Sequence, residues 1–210
     1  MSLFLSRLTL NPSNAGARRD LSTPYELHRT LMRGVDGRSD GGRLLFRLEP
    51  EPGPGGPLVL VQTQVLPDWS QLLQNQYLLR LEGPKGFDLH VSSGQVLRFR
   101  LLANPVKKID GRRIPLIRDV RRHEHEKTYW DWLYRRAALA GFEVLDATDV
   151  QTRFASRRGG DDTKRAIPHF GVRFDGLLRV VDEEGVYDAV CRGIGPAKAF
   201  GFGLLSLAPA

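Results

Sequence analysis

Tyr25, His28 and Arg29 lie within the segment PYELHRTL, and their types and spacing could do proton chemistry on a phosphodiester. Residues three and four apart on a helix share a face, so a phenol, an imidazole and a guanidinium would project together. A helix N-terminus adds unsatisfied N–H groups and positive partial charge, both of which draw phosphate oxygens. In RNA the 2′-OH beside each phosphodiester is an internal nucleophile, so a protein need only move a proton while cations stabilise the developing charge. Histidine has the unperturbed pKa nearest neutral. The same Tyr/His spacing also serves packing with a satisfied polar tip, and spacing alone does not separate the two.

A second candidate is the C-terminal run RGIGPAKAFGFGLLSL, where Gly193, Gly195, Gly201 and Gly203 surround Pro196 and Lys198. Glycine permits positive φ and close backbone approach, so successive N–H groups can form an anion-binding nest to which Lys198 adds a point charge. The run is not a Walker A loop, because Lys198 precedes the second glycine pair and no Ser or Thr follows it to hold magnesium. A glycine-rich turn between a helix and a last strand accounts for it equally well.

Basic residues recur in three further places. Arg18, Arg19, Arg29 and Arg33 surround the Tyr25/His28 segment and are candidate phosphate contacts. Arg98, Arg100, Lys107, Lys108, Arg112 and Arg113 make a stripe that alternates along a strand and continues into a loop, suited to a phosphate backbone or to plain solvation. The segment ASRRGGDDTKRA reads as a hairpin tipped with Arg157, Arg158, Lys164 and Arg165, able to grip an RNA stem near its end, although Asp161 and Asp162 work against binding. His123-Glu124-His125 invites a metal reading that fails on geometry, since residues two apart on a helix do not share a face and no third ligand is evident. Trp69, Trp130 and Trp132 read as core or domain-interface aromatics. His90 and His169 have no readable role.

The elements that must hold these residues follow from periodicity and turn signals. LFLSRLTL reads as a strand ended by Asn11-Pro12, and Arg18, Arg19 and Asp20 lead into a helix from Pro24 to about Val35, with Thr23 as cap and Glu26 completing a capping box. RLLFRLE (43–49) and PLVLVQTQ (57–64) are expected strands, followed by a short helix at Ser70 to Gln74 and a strand near Tyr77 to Leu81. The second half repeats the order: a strand at 96–105, a helix over 124–140 with Tyr129, Leu133, Ala137 and Ala140 on one stripe, strands at 142–154 and 167–181, a helix capped by Asp182 through Cys191, and a final strand GLLSL. The expected class is α+β, two tandem ferredoxin-like βαββαβ domains with antiparallel sheets. Gly83, Pro84, Gly86 and Gly94 place the boundary near 83–94, giving domains 1–88, with the Tyr25/His28 helix, and 89–210, with the basic hairpin and glycine-rich loop.

The composition narrows the partner. In 210 residues, 31 Lys+Arg oppose 24 Asp+Glu for a net charge of +7, which favours polyanions. A hydrophobic content of 41% provides a core, so the chain is not a basic disordered tail. Cys191 is the only cysteine, which excludes an intrachain disulfide and a Cys-based zinc site and fits a reducing cytosol. No apolar run approaches the ~20 residues that span a bilayer, so a cytoplasmic protein without membrane attachment is expected.

Taken together, LTLNP, PYELHRTL, LRFRLLANPVKK and GIGPAKAFGFGLLSL resemble the CRISPR RNA-processing endoribonucleases of the type I-E system, subunits of the Cascade surveillance complex within the repeat-associated RNA-binding superfamily. The match runs through both halves in the expected order. The resemblance implies a cofactor-free and metal-independent cut at the 3′ side of the CRISPR repeat stem-loop, with the 2′-OH attacking its own phosphodiester to leave a 5′-OH and a 2′,3′-cyclic phosphate. It places His28 as catalytic histidine, Tyr25 as its companion and Arg29 beside the scissile phosphate, and makes the repeat RNA and other Cascade subunits the partners. It also sets the 157–165 hairpin in the place of the family's groove-binding element. A non-catalytic RNA-binding scaffold with the same double fold is the alternative, for which the Tyr25/His28 face would be dispensable.

Overall fold

The structure, a computed structural model, describes residues 3–35, 43–51, 55–117, 128–156 and 167–210. Its first half runs β1 (Leu3–Leu10), α1 (Ala15–Ser22), α2 (Pro24–Met32), β2 (Leu44–Leu48), β3 (Leu58–Thr63), α3 (Ser70–Gln74) and β4 (Leu78–Phe87). Its second half runs β5 (Val96–Ala103), β6 (Val106–Ile109), β7 (Arg112–Pro115), α4 (Tyr129–Leu139), β8 (Phe142–Ser156), β9 (Ile167–Val180), α5 (Glu183–Arg192), a 3-10 turn (Lys198–Phe200) and β10 (Leu205–Pro209). Two antiparallel four-stranded sheets result, ordered β2-β3-β1-β4 and β10-β5-β9-β8, with β6 and β7 paired separately. In each sheet the first strand lies between the third and the fourth and the second is at an edge, which makes the fold a tandem of ferredoxin-like units. Leu8 pairs with Val59 and Leu81, and Leu101 with Phe174 and Leu205, so an inner strand of each sheet is fixed from both sides.

Burial follows the sequence pattern. In β5, Leu97, Phe99, Leu101 and Ala103 turn inward while Arg98 is exposed, the period of a half-buried strand. One apolar cluster gathers Leu8, Leu27, Leu31, Phe46, Val59, Val61 and Trp69. The other gathers Phe99, Leu101, Tyr129, Trp132, Phe174 and Leu205, and draws in Leu3 from the first strand of the chain. On α4 the buried stripe is Tyr129, Trp132, Leu133 and Ala137, opened by a capping box between Thr128 and Asp131. Asp182 caps α5 by accepting from the Glu184 and Gly185 N–H groups, as its position in the sequence led us to expect.

Several local expectations are corrected. Pro24 does open α2, but the Thr23 side chain makes no capping bond, and Glu26 pairs with Arg29 at 3.1 Å instead. The cause is that Thr23 also closes α1: its N–H donates to the Asp20 carbonyl, and the elbow between the helices sets its backbone at φ −137° and ψ 88°. Helix α1 itself was read only as a lead-in; Asn14 caps it by accepting from the Ala17 N–H at 3.0 Å. Helix α2 ends at Met32, short of the expected end near Val35; turn bonds from the Gly34 and Val35 N–H groups to the Leu31 and Met32 carbonyls follow it, and Gly34 is pressed against the Trp69 ring, where a Cβ would come within 2.3 Å. The segment around Lys107 and Arg113 is a β-hairpin, not a loop, and β4 extends past Leu81 to Phe87. Among the described residues no helix is long and apolar enough to cross a membrane.

Candidate active site

Helix α2 is anchored from beneath by a carboxylate. Asp20, at the end of α1, has no exposed surface and accepts from Thr30 Oγ1 at 2.6 Å and from the Tyr77 hydroxyl at 3.0 Å, while Arg19 closes a salt bridge of 2.8 Å from the solvent side. Burial, then the charge of Asp20, pushes the Tyr77 phenol well above its ordinary pKa, so it stays a hydrogen-bond donor. The Asp20→Asn variant loses two charge-assisted acceptor contacts and should cost about 1–3 kcal/mol in urea-denaturation stability. A change below that range would mean that α2 is held by its apolar face, Leu27 and Leu31, alone.

The exposed side of α2 meets the second half of the chain. The Tyr25 and His28 rings lie 6.5 Å apart by centroid, confirming a shared face. His28 stacks on Phe46 of β2 at 6.1 Å with the planes 9° apart, and Tyr25 packs against Phe200 of the 3-10 turn at 5.7 Å. Gly201 follows that turn with φ +84°, and a Cβ there would sit 3.2 Å from the Phe46 ring. The glycine-rich segment thus closes onto the ring that carries the imidazole. His28 Nδ1 is sealed from solvent and has no hydrogen-bond partner among the described residues. Burial holds the imidazole below its ordinary pKa, so it is mostly neutral at pH 7 in the free protein.

Beside this face is a cleft of about 530 Å³ lined by Pro24, Leu27, Phe46, Arg47, Arg173, Phe200 and Gly201. Its floor is polar and closed on itself. Arg47, 3% exposed, donates to Glu49 at 2.7 Å, to the Leu204 and Arg100 carbonyls at 3.2 and 3.3 Å, and to Ser206 Oγ at 3.0 Å. Burial lowers the Arg47 pKa and the Glu49 carboxylate opposes that. Glu49 also binds Arg100 at 3.0 Å, and Asp175 holds both Arg100 and Arg173. This lattice of five charges spans β2, β5 and β9 and joins the two sheets.

The residues expected to bind phosphate divide by position. Arg29 is exposed on the Tyr25/His28 helix, tied only to Glu26 by a surface pair of the kind that contributes little. Arg33 is exposed where α2 ends. Lys198 opens the 3-10 turn and donates to the Gly195 carbonyl at 2.8 Å; burial, then the charges of Arg43 and Arg136, lower its pKa. Arg18 braces the preceding loop through the Pro12 and Ser13 carbonyls, and Arg19 serves Asp20. Lys107 and Lys108 lie on the separate β6–β7 hairpin, and Arg100 is committed to Glu49 and Asp175. Arg157, Arg158, Lys164 and Arg165, like the His123-Glu124-His125 triplet, lie outside the described residues. Phe46, Phe200, Asp20 and Arg47 were not anticipated. A lone arginine inside the apolar run LLFRL, with Glu49 two residues on, was the one sequence signal for the buried lattice.

The family model described as CRISPR associated protein matches residues 3–209. The CRISPR-associated endoribonuclease Cse3 of Thermus thermophilus is 40% identical over 99% of this chain and 100% of its own length. The chain belongs to the type I-E CRISPR RNA-processing endoribonuclease family. The Cascade subunit CasE of Escherichia coli (strain K12), in the same family, is 32% identical over 91% of this chain and 93% of its own. A solved structure of the endoribonuclease Cse3 bound to a 19-nucleotide RNA superposes with a TM-score of 0.87 at 40% identity, covering the whole of both chains.

Proposed function

We propose that this chain binds the CRISPR repeat stem-loop and cuts precursor CRISPR RNA at the 3′ side of the stem, as a subunit of a Cascade-type complex. The observation that carries the reading is the pairing of Tyr25 and His28 on one half-buried helix face at the seam of the two sheets, with the His28 ring near-parallel to Phe46. Family membership and the activity named for the Thermus relative support it. In this reaction the 2′ oxygen attacks the adjacent phosphorus and the bond to the 5′ oxygen breaks, leaving a 2′,3′-cyclic phosphate and a 5′-OH. The nucleophile belongs to the substrate and cationic side chains meet the phosphate charge, so the step is written without a metal.

His28 delivers the proton to the departing 5′ oxygen. With Nδ1 sealed against the protein, that proton passes through Nε2. Tyr25 orients or activates the 2′-OH, and Arg29 reaches the phosphate by releasing Glu26. Arg18, Arg19, Arg33, Lys107 and Lys108, with Arg157, Arg158, Lys164 and Arg165 beyond the described residues, are the remaining candidate RNA contacts. The test is cleavage of the cognate repeat RNA in EDTA, with an all-ribose substrate beside one carrying a 2′-deoxy just upstream of the cut. We expect only the first to be cut. Tight binding with neither cut would make the chain a scaffold, and cleavage of both would remove the 2′-OH from the mechanism.

A further inference from the structure

Three cations bracket the first half of the glycine-rich segment. Arg43 donates to the Arg192 carbonyl at 3.1 Å, immediately before Gly193. Lys198 donates to the Gly195 carbonyl at 2.8 Å from the other side. Arg136, on α4, lies 5.8 Å over the Trp132 ring, and that ring packs on Gly195, where φ is +81° and a Cβ would fall 2.8 Å from Trp132 Cζ2. Three positive charges around one loop repel one another; burial first, and then the charges of Arg43 and Arg136, lower the Lys198 pKa. Acids elsewhere neutralise such clusters, as Glu49 and Asp175 do for Arg47, Arg100 and Arg173. Here Arg136 and Lys198 have no carboxylate among the described residues.

Two donors are also unmatched. Arg136 Nε and Trp132 Nε1 are buried without a hydrogen-bond partner, and Trp132 is 1% exposed. The Cζ2–Cη2 edge of the indole is the part that meets Gly195. Buried donors without acceptors are destabilising, and with no carboxylate on Arg136 or Lys198 among the described residues an anion is the counter-charge that this cluster lacks. The loop leads directly to the reactive face: Lys198 opens the turn whose last residue, Phe200, packs on Tyr25.

We infer that Arg43, Arg136 and Lys198 form an anion subsite around Gly195 that holds an RNA backbone phosphate neighbouring the scissile one. The inference rests on the reading that this chain processes RNA, and it adds two residues, Arg43 and Arg136, that neither the motif nor the Tyr25/His28 face brings in. By fixing the strand beyond the cut, the subsite aligns the scissile bond, so the three side chains are positioning residues.

The experiment uses the full chain and an uncleavable repeat stem-loop with a 2′-deoxy at the cut, so His28 chemistry does not enter. A single neutral methylphosphonate is walked through the nucleotides flanking the cut, and Kd is measured for the wild type, Arg136→Met and Lys198→Met. Met keeps the apolar stem against Trp132. One position next to the cut should weaken wild-type binding about tenfold, the size of a charge-assisted contact, and that penalty should vanish in Arg136→Met and Lys198→Met. Each variant should also flatten the salt dependence of log K by about 0.7. Penalties that add in full at every position, or variants that bind unmodified RNA as the wild type does, would overturn the inference. Failure to cut all-ribose RNA would count against the proposed nuclease while leaving this binding result intact.

Discussion

His28→Ala should slow single-turnover cleavage of the repeat RNA by about 10²–10⁴ while leaving stem-loop affinity within a few-fold, because a general acid acts on the transition state and contributes little to ground-state binding. The geometry makes the separation sharp. The imidazole's contacts are to Phe46 and Tyr25, and its Nδ1 has no partner among the described residues, so truncation breaks no buried hydrogen bond. Lost stacking on Phe46 should appear as a small fall in stability. A variant that loses affinity and rate together would instead make His28 a structural contact to the RNA.

The pH profile tests the same assignment independently. A general acid is active when protonated, so the rate falls as pH rises through its pKa. Burial lowers the His28 pKa from 6.5, so the falling limb of kcat/KM, which reports the free enzyme, should lie on the acid side of that value. Bound RNA brings negative charge beside the ring, which favours imidazolium, and the limb of kcat should move to higher pH. A rate that climbs with pH over the same range, and loses that climb in His28→Gln, would reassign the residue as base.

What the sequence revealed and what it hid separate along physical lines. Tyr25 and His28 were legible because their relation is local: three residues on one helix fix a shared face whatever the rest of the chain does. Asp182 and the strand LRFRLLA were legible for the same reason, a cap and a period of two being properties of neighbours. Helix α1 was hidden because AGARRDLS buries only Ala17 and Asp20, too few to set a period. Phe46, Phe200 and Gly201 meet across more than 150 positions of chain, and nothing in either segment names the other. The glycine run looked like a phosphate nest; at Gly195 and Gly201 the missing Cβ makes room for Trp132 and Phe46, a use of glycine that only packing discloses. The arginines of the strand stripe also looked alike, yet Arg98 is exposed and Arg100 is bound to two acids.

Arg47→Met should be the most destabilising single change at the seam. The side chain is 3% exposed and its guanidinium serves Glu49, Ser206 and the carbonyls of Arg100 and Leu204, which come from three different strands or their edges. Methionine fills much of the stem but satisfies none of these acceptors, leaving two carbonyls without that donor and Glu49 with Arg100 alone. Removing one partner from a buried ionic lattice typically costs about 3–5 kcal/mol. Arg47→Lys keeps the charge but offers a point donor in place of a planar fork, so it should recover only part of that loss. The readouts are the urea midpoint and the cleavage rate of the folded fraction. Because Phe46, the ring under His28, precedes Arg47 on β2, a loosened seam should lower the rate as well as the stability. If Arg47→Met shifts stability by less than about 1 kcal/mol, the two sheets are held by apolar contacts such as Phe46 on Gly201, and the charged lattice then serves alignment more than cohesion.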